Sequence, residues 1–254
     1  MKRLAVGLIA SLFLFLTIQG AQAADTSSVI RATLTNGMHV ILLPNQLAPV
    51  ATTIMTYGVG ADDDTMPGIA HATEHMLFRG TSTVSAGQLS DIAARMGAQY
   101  NAQTSNEFTL YYFKLPSPYV PVALHLEADR MTHALIRTAD WNTERGPIQQ
   151  EIRAQQSQPG YAIGMKLRES FFKGTPFASA GGGTIPSFAK MTSANIRAFY
   201  HTWYQPGNAT LIVSGDMDPQ TTLAQIHALF DAIPAGPVPA RPLIIIPPLN
   251  TATL

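Results

Sequence analysis

Two histidines and a glutamate fall within five residues, His71-Ala72-Thr73-Glu74-His75. Such a set supports metal-assisted chemistry if its backbone is helical. Residues four apart then lie side by side, with β-carbons about 5–6 Å apart, and both imidazoles can reach one ion. Glu74 follows His71 by three positions and leans over the same face, free to act as a base. The order H-x-x-E-H reverses H-E-x-x-H, in which two histidines bind zinc and the glutamate handles the proton. With 7 histidines and 6 glutamates in 254 residues, chance supplies on the order of 0.005 such matches.

The flanking residues favour a helix over 65–80. Pro67 suits a first turn, Asp62-Asp63-Asp64 with Thr65 can cap the free amides there, and Gly80 can close the far end. The acidic run reads as a cap, since no loop of spaced oxygen ligands follows it as calcium would need. Two histidines do not complete a hydrolytic zinc site, which takes three protein ligands and keeps one position open. The candidates for the third are Glu107, Glu127, Glu144, Glu151, Glu169 and the aspartates, and composition does not choose among them. Glu144 and Glu151 lie two turns apart and share a face if their helix survives Gly146-Pro147. An interior proline costs about 3 kcal/mol, which predicts a kink or a break there. One of the pair could then bind the metal while the other supports a ligand. His39, His125, His133, His201 and His227 are scattered and read as surface or core residues.

The elements that must position these groups follow from pattern. β-prone runs over 29–34 and 39–43 join across Asn36-Gly37, a strong hairpin signal, and a third covers 50–59. A helix opens at Ser85 and stops at Gly97, strands over 99–102 and 108–115 follow, and helices are predicted over 120–136, 139–158 and 162–173. Gly181-Gly182-Gly183 reads as a flexible connection. A helix over 192–204, a strand over 209–214 and a helix over 219–233 complete the pattern.

Met1-Lys2-Arg3, an apolar run to Ile18 and Ala21-Gln22-Ala23 make residues 1–23 a secretory signal peptide, too short in its apolar part for a membrane span. Export to the periplasm or beyond, with no stable membrane anchor after cleavage, is the expectation. The chain has no cysteine, so the fold rests on its core and not on disulfides. Acidic and basic residues balance at 16 each, and loss of Lys2 and Arg3 leaves a slight acidic excess. Nothing in that balance suits a nucleic acid or an anionic membrane. Residues 24–234 read as one domain; from 235 the proline-rich composition reads as a linker, over 235–254, toward a second unit beyond Leu254.

Four stretches together resemble one family: His71 through Thr81; Asn101-Ala102-Gln103-Thr104; Glu144-Arg145 with Glu151-Ile152; and Phe199-Tyr200, Tyr204-Gln205-Pro206-Gly207-Asn208 and Ser214-Gly215-Asp216. They look like the pitrilysin or insulinase family of zinc peptidases, including the mitochondrial processing peptidase branch and its bacterial relatives, over nearly all of residues 29–233. The resemblance implies an α+β fold with a mostly antiparallel sheet packed against helices, one half-unit of a two-domain clamshell. It implies Zn2+ held by His71, His75 and Glu151, with Glu74 as general base and Glu144 as the supporting glutamate. It also implies an edge strand at Asn101 and Ala102 to which an extended peptide substrate pairs, and a second homologous half-domain or partner subunit.

The chemistry expected is zinc-dependent hydrolysis of peptides or unfolded segments. Two other readings stand beside it. One is a non-catalytic subunit of a two-chain peptidase, which the intact ligand set argues against; the other is a small-molecule hydrolase, for which the sequence signals no enclosed pocket.

Overall fold

Alternation of apolar and polar residues in Val50–Tyr57 and Thr109–Pro116 gives two strands whose odd-numbered side chains are buried while the even-numbered ones stay at least partly open. That pattern specifies a sheet covered on one face only. The computed structural model describes residues 29–179, 181–241 and 243–246; the signal peptide expected over 1–23 lies outside them. Six strands, β1 (Ile30–Thr33), β2 (His39–Pro44), β3 (Val50–Tyr57), β4 (Gln99–Thr104), β5 (Thr109–Pro116) and β6 (Ala209–Gly215), form one sheet in the order β1-β2-β6-β3-β5-β4. Every pairing is antiparallel except β2 with β6. β4 pairs with β5 alone and so forms an open edge.

The helices are α1 (Ile69–Met76), α2 (Ala86–Met96), α3 (Val120–His133), α4 (Thr138–Gln156), α5 (Tyr161–Phe171), α6 (Ile185–Lys190), α7 (Ser193–Trp203) and α8 (Pro219–Phe230). Tyr57, Tyr111, Phe113, Met55, Leu211 and Val213 from the sheet meet Met76, Leu124, Ile196 and Phe230 from the helices in one buried core. The mixed α/β architecture with its mainly antiparallel sheet is the one expected. α6 was not anticipated; its six residues are too few to show a helical period.

α1 is shorter at both ends than the 65–80 predicted. Gly68, at φ +87°, turns the chain into the helix and leaves Pro67 outside it. Asp64 does the capping from four residues upstream, accepting Gly68 N–H at 2.5 Å and Ala70 N–H at 3.0 Å. After Met76 the chain tightens, with Phe78 N–H on His75 O and Arg79 N–H on Met76 O.

α4 corrects a second expectation. It runs without a break through Pro147. Pro147 and Thr143, whose carbonyl loses its helical donor, are exposed, so the orphaned group can turn to water. Trp141, Ile148 and Ile152 anchor the helix on both sides, and Trp141 Nε1 donates to Met191 O at 2.8 Å.

The glycine run, read from sequence as a flexible connection, packs closely at Gly183 against the chain entering α1. A β-carbon on Gly183, at φ +89°, would lie 2.6 Å from Phe188 and 2.7 Å from the Gly68 Cα. Gly183→Ala is therefore expected to destabilise the protein by about 3 kcal/mol, combining left-handed strain with overpacking, as a lowered melting temperature.

Candidate metal centre

α1 is buried at Ile69, Ala70, Ala72, Thr73, Glu74 and Met76. Only the stripe carrying His71 and His75 is left partly open, their side chains 13% and 22% exposed. The helix packs against β4, α4 and α7, so those two imidazoles face the inner side of α4.

There His71, His75 and Glu151 come together, each offering a ligand atom within 4.8 Å of the others. The Nε2 atoms of the histidines are 3.2 Å apart, and Glu151 Oε2 lies 3.6 Å from His71 Nε2 and 3.4 Å from His75 Nε2. A tetrahedral cation bonded at about 2.1 Å holds its ligand atoms roughly 3.4 Å apart. The triangle has that size. It is the only such group among the described residues.

The outer nitrogens fix the tautomers. His71 Nδ1 meets Gly182 O at 3.2 Å, a carbonyl that can only accept, and His75 Nδ1 meets Glu144 Oε1 at 2.9 Å. Both protons therefore sit on Nδ1, and both Nε2 atoms present lone pairs. Two lone pairs and a carboxylate converge with no donor between them, an arrangement a cation satisfies. The same crowding moves proton affinities. Burial draws His71 down, but the Glu151 carboxylate beside it outweighs that and holds it above the ordinary histidine range. The His71 imidazole beside it holds Glu151 below the ordinary carboxylate range, against its desolvation.

Glu144 sits one α4 face with Glu151, since the helix survives Pro147. Besides His75 it holds Arg79 Nη1 at 3.5 Å. Glu74 is not part of the triangle; Thr104, the last residue of β4, donates its hydroxyl to Glu74 Oε2 at 2.5 Å. Asn101 and Ala102 lie on β4 at the open edge, where Asn101 Oδ1 accepts the Ala102 N–H at 2.9 Å. His71, Glu151, Thr104, Asn106, Gln155 and Gly182 line a cleft of about 160 Å3 beside the triangle. A larger hollow of about 580 Å3, between Asp63, Phe177 and Arg241, contains none of the three donors.

Two contributors were missed by sequence reasoning. Gly182 acts through a backbone carbonyl, which has no residue-type signature. Thr104 stands in a stretch singled out for its edge-strand neighbours, and nothing in its spacing from Glu74 connects the two. Burial raises the Asp64 carboxyl to about 7, against the pull of its two amide donors. A carboxyl that binds its proton more tightly in the folded than in the unfolded state lowers stability as pH rises between the two pKa values. Asp64→Asn is therefore expected to flatten the fall in melting temperature between about pH 4 and 7, read by thermal unfolding across that range.

Comparison with known proteins bears on the whole arrangement. Residues 40–184 match the family model of insulinase, peptidase family M16, and residues 190–253 match that of the peptidase M16 inactive domain. An uncharacterised zinc protease of Streptomyces coelicolor is 29% identical over 216 residues, 84% of this chain and 47% of that protein. The probable zinc protease PqqL of Escherichia coli is 28% identical over 247 residues, 90% of this chain and 26% of that protein. Among solved structures, a protease from Helicobacter pylori aligns with a TM-score of 0.80 at 26% identity, covering 86% of this chain and 53% of that one. The first half of the periplasmic protease PqqL from Escherichia coli aligns with a TM-score of 0.81 at 26% identity, covering 86% and 49%. The chain thus spans about half the length, or less, of the relatives it matches. Because the insulinase model covers more than half of the chain and its half-unit fold is the one found here, the protein belongs to the insulinase family of peptidases, M16.

Proposed function

We propose that this chain is the zinc-bearing half of an endopeptidase that hydrolyses peptides or unfolded polypeptide segments. His71, His75 and Glu151 hold Zn2+, and the observation that carries the reading is their donor triangle with both Nδ1 protons engaged elsewhere. Zinc bound there supplies a Lewis acid that polarises the scissile carbonyl and makes the attacking water more acidic. Glu74, three residues from His71 and not part of the triangle, takes the water's proton and hands it to the leaving amine. Glu144 and the Gly182 carbonyl keep the two imidazoles turned with Nε2 inward. The open edge of β4 at Asn101 and Ala102 receives an extended substrate by main-chain pairing. Residues 1–23 direct export, in keeping with a similar protease described as periplasmic. Among the described residues no helix is long and apolar enough to cross a membrane.

Activity requires a second half of the same fold, in the same or a partner chain. The support is that the relatives are about twice as long or more, and that an open half positions substrate poorly and leaves the charges of the site in water. The test is zinc analysis of the purified chain with a peptide-cleavage assay, each with and without chelator and with and without a co-expressed second half. One zinc per chain and chelator-sensitive cleavage are expected; a chain that takes up no zinc overturns the reading. A second reading, a non-catalytic subunit, draws on the match of residues 190–253 to the inactive-domain model. It predicts zinc binding with no cleavage under any of these conditions.

A further inference from the structure

We infer that Thr104 is a positioning residue for Glu74, coupling the substrate edge of the sheet to the proton-handling carboxylate; this rests on the peptidase reading. Glu74 is 9% exposed, so its carboxylate has little water to orient it. Thr104 Oγ1 donates to Oε2 at 2.5 Å, and no other group of the described residues bonds either oxygen. Oε1 is not among the sealed, unpaired buried atoms, which leaves it as the oxygen without a protein partner and with some surface of its own.

The single proton of Thr104 is committed to this bond. Its neighbour Thr109 stands 3.4 Å away across the ladder but directs its own hydroxyl to Val59 O at 2.9 Å, so it does not compete for Glu74. A carboxylate clamped at one oxygen by a strand side chain has its second oxygen aimed by the same contact.

The strand phase adds the coupling. Ser105 N–H pairs with Phe108 O at 2.8 Å, and the Ala102 N–H is taken by Asn101 Oδ1 and not by β5. Antiparallel ladders alternate bonded and non-bonded pairs, so Thr104, opposite Thr109, turns its own N–H and C=O to the open edge. One residue therefore offers its main chain to an added strand and its hydroxyl to Glu74. A peptide that pairs along β4 fixes Thr104, and Thr104 fixes the oxygen that receives the proton.

The experiment uses the zinc-loaded full chain with its second half, and compares Thr104→Val and Thr104→Ser with the wild type. Thr104→Val, which keeps the shape and removes the donor, is expected to lower kcat by roughly tenfold to a hundredfold, with KM within about twofold and zinc content unchanged. Thr104→Ser, which keeps the hydroxyl, is expected to restore most of kcat. A readout independent of activity is thermal unfolding of the chelated chain. There Thr104→Val should lower the midpoint by roughly 3–6 °C when Glu74 is present and by less than about 1 °C in a Glu74→Leu background. A wild-type kcat in Thr104→Val, equal losses in Val and Ser, or equal midpoint shifts in the two backgrounds each overturns the inference while leaving the peptidase reading intact. A wild-type protein without cleavage activity sinks both.

Discussion

Glu74→Gln is expected to keep one zinc per chain and to lose peptide cleavage, with kcat down by about 10²–10⁴-fold, the usual contribution of a positioned general base. The zinc should stay because Glu74 is not one of the three atoms that converge between α1 and α4. The fold should stay because a glutamine of the same shape still offers an oxygen to the Thr104 hydroxyl. Any loss can then be assigned to the proton step. Metal analysis and steady-state kinetics on the same preparation read both halves of the prediction. Loss of zinc in this variant would mean that Glu74 is a ligand, and the assignment of roles within the motif would have to be exchanged.

The second large effect is expected at Glu151. Its side chain is 59% exposed and is placed beside the two histidines by the α4 backbone. Glu151→Gln should therefore leave the melting temperature of the chelated protein nearly unchanged. Metal binding should suffer far more. Removal of a residue that only orients a ligand costs about 10–100-fold in affinity, and loss of a ligand should cost at least the upper end of that range. A hundredfold loss of affinity removes about 2.7 kcal/mol of metal-linked stabilisation, or roughly 5–10 °C of the rise in melting temperature that zinc produces in the wild type. Melting curves with and without added zinc measure it. An undiminished zinc response in Glu151→Gln would return the third ligand to the other carboxylates.

The two variants differ in what they ask of the protein. Glu74→Gln tests a group that is nearly buried and bonded to an edge strand; Glu151→Gln tests one that is open to solvent and close only to the two histidines. Taken together they separate the chemistry from the metal, which the alternative of a non-catalytic subunit does not predict to be separable.

Much of the site was legible in the chain itself because it is local. His71, Glu74 and His75 lie within two helical turns, and any helix there places the two histidines side by side whatever surrounds it. The strands over β3 and β5, the capped helix from Ser85 to Gly97 and the one-sided burial of the sheet were likewise set by residue period and cap chemistry. What residue spacing left open was the third ligand. Glu144 and Glu151 were two of several carboxylates until the family resemblance singled them out, and their shared face depended on a helix that local rules expected to fail at Pro147. The tertiary structure keeps that helix whole, because Trp141, Ile148 and Ile152 are anchored in the core while the proline faces water. It also supplies partners that no local pattern encodes. The Gly182 carbonyl reaches His71 from 111 residues away, Glu144 reaches His75 from 69, and Thr104 reaches Glu74 from 30. Helical and strand periods act over a few residues and so could be read directly; the contacts that turn the imidazoles and aim the glutamate close long loops, and only the packed core determines which of them form.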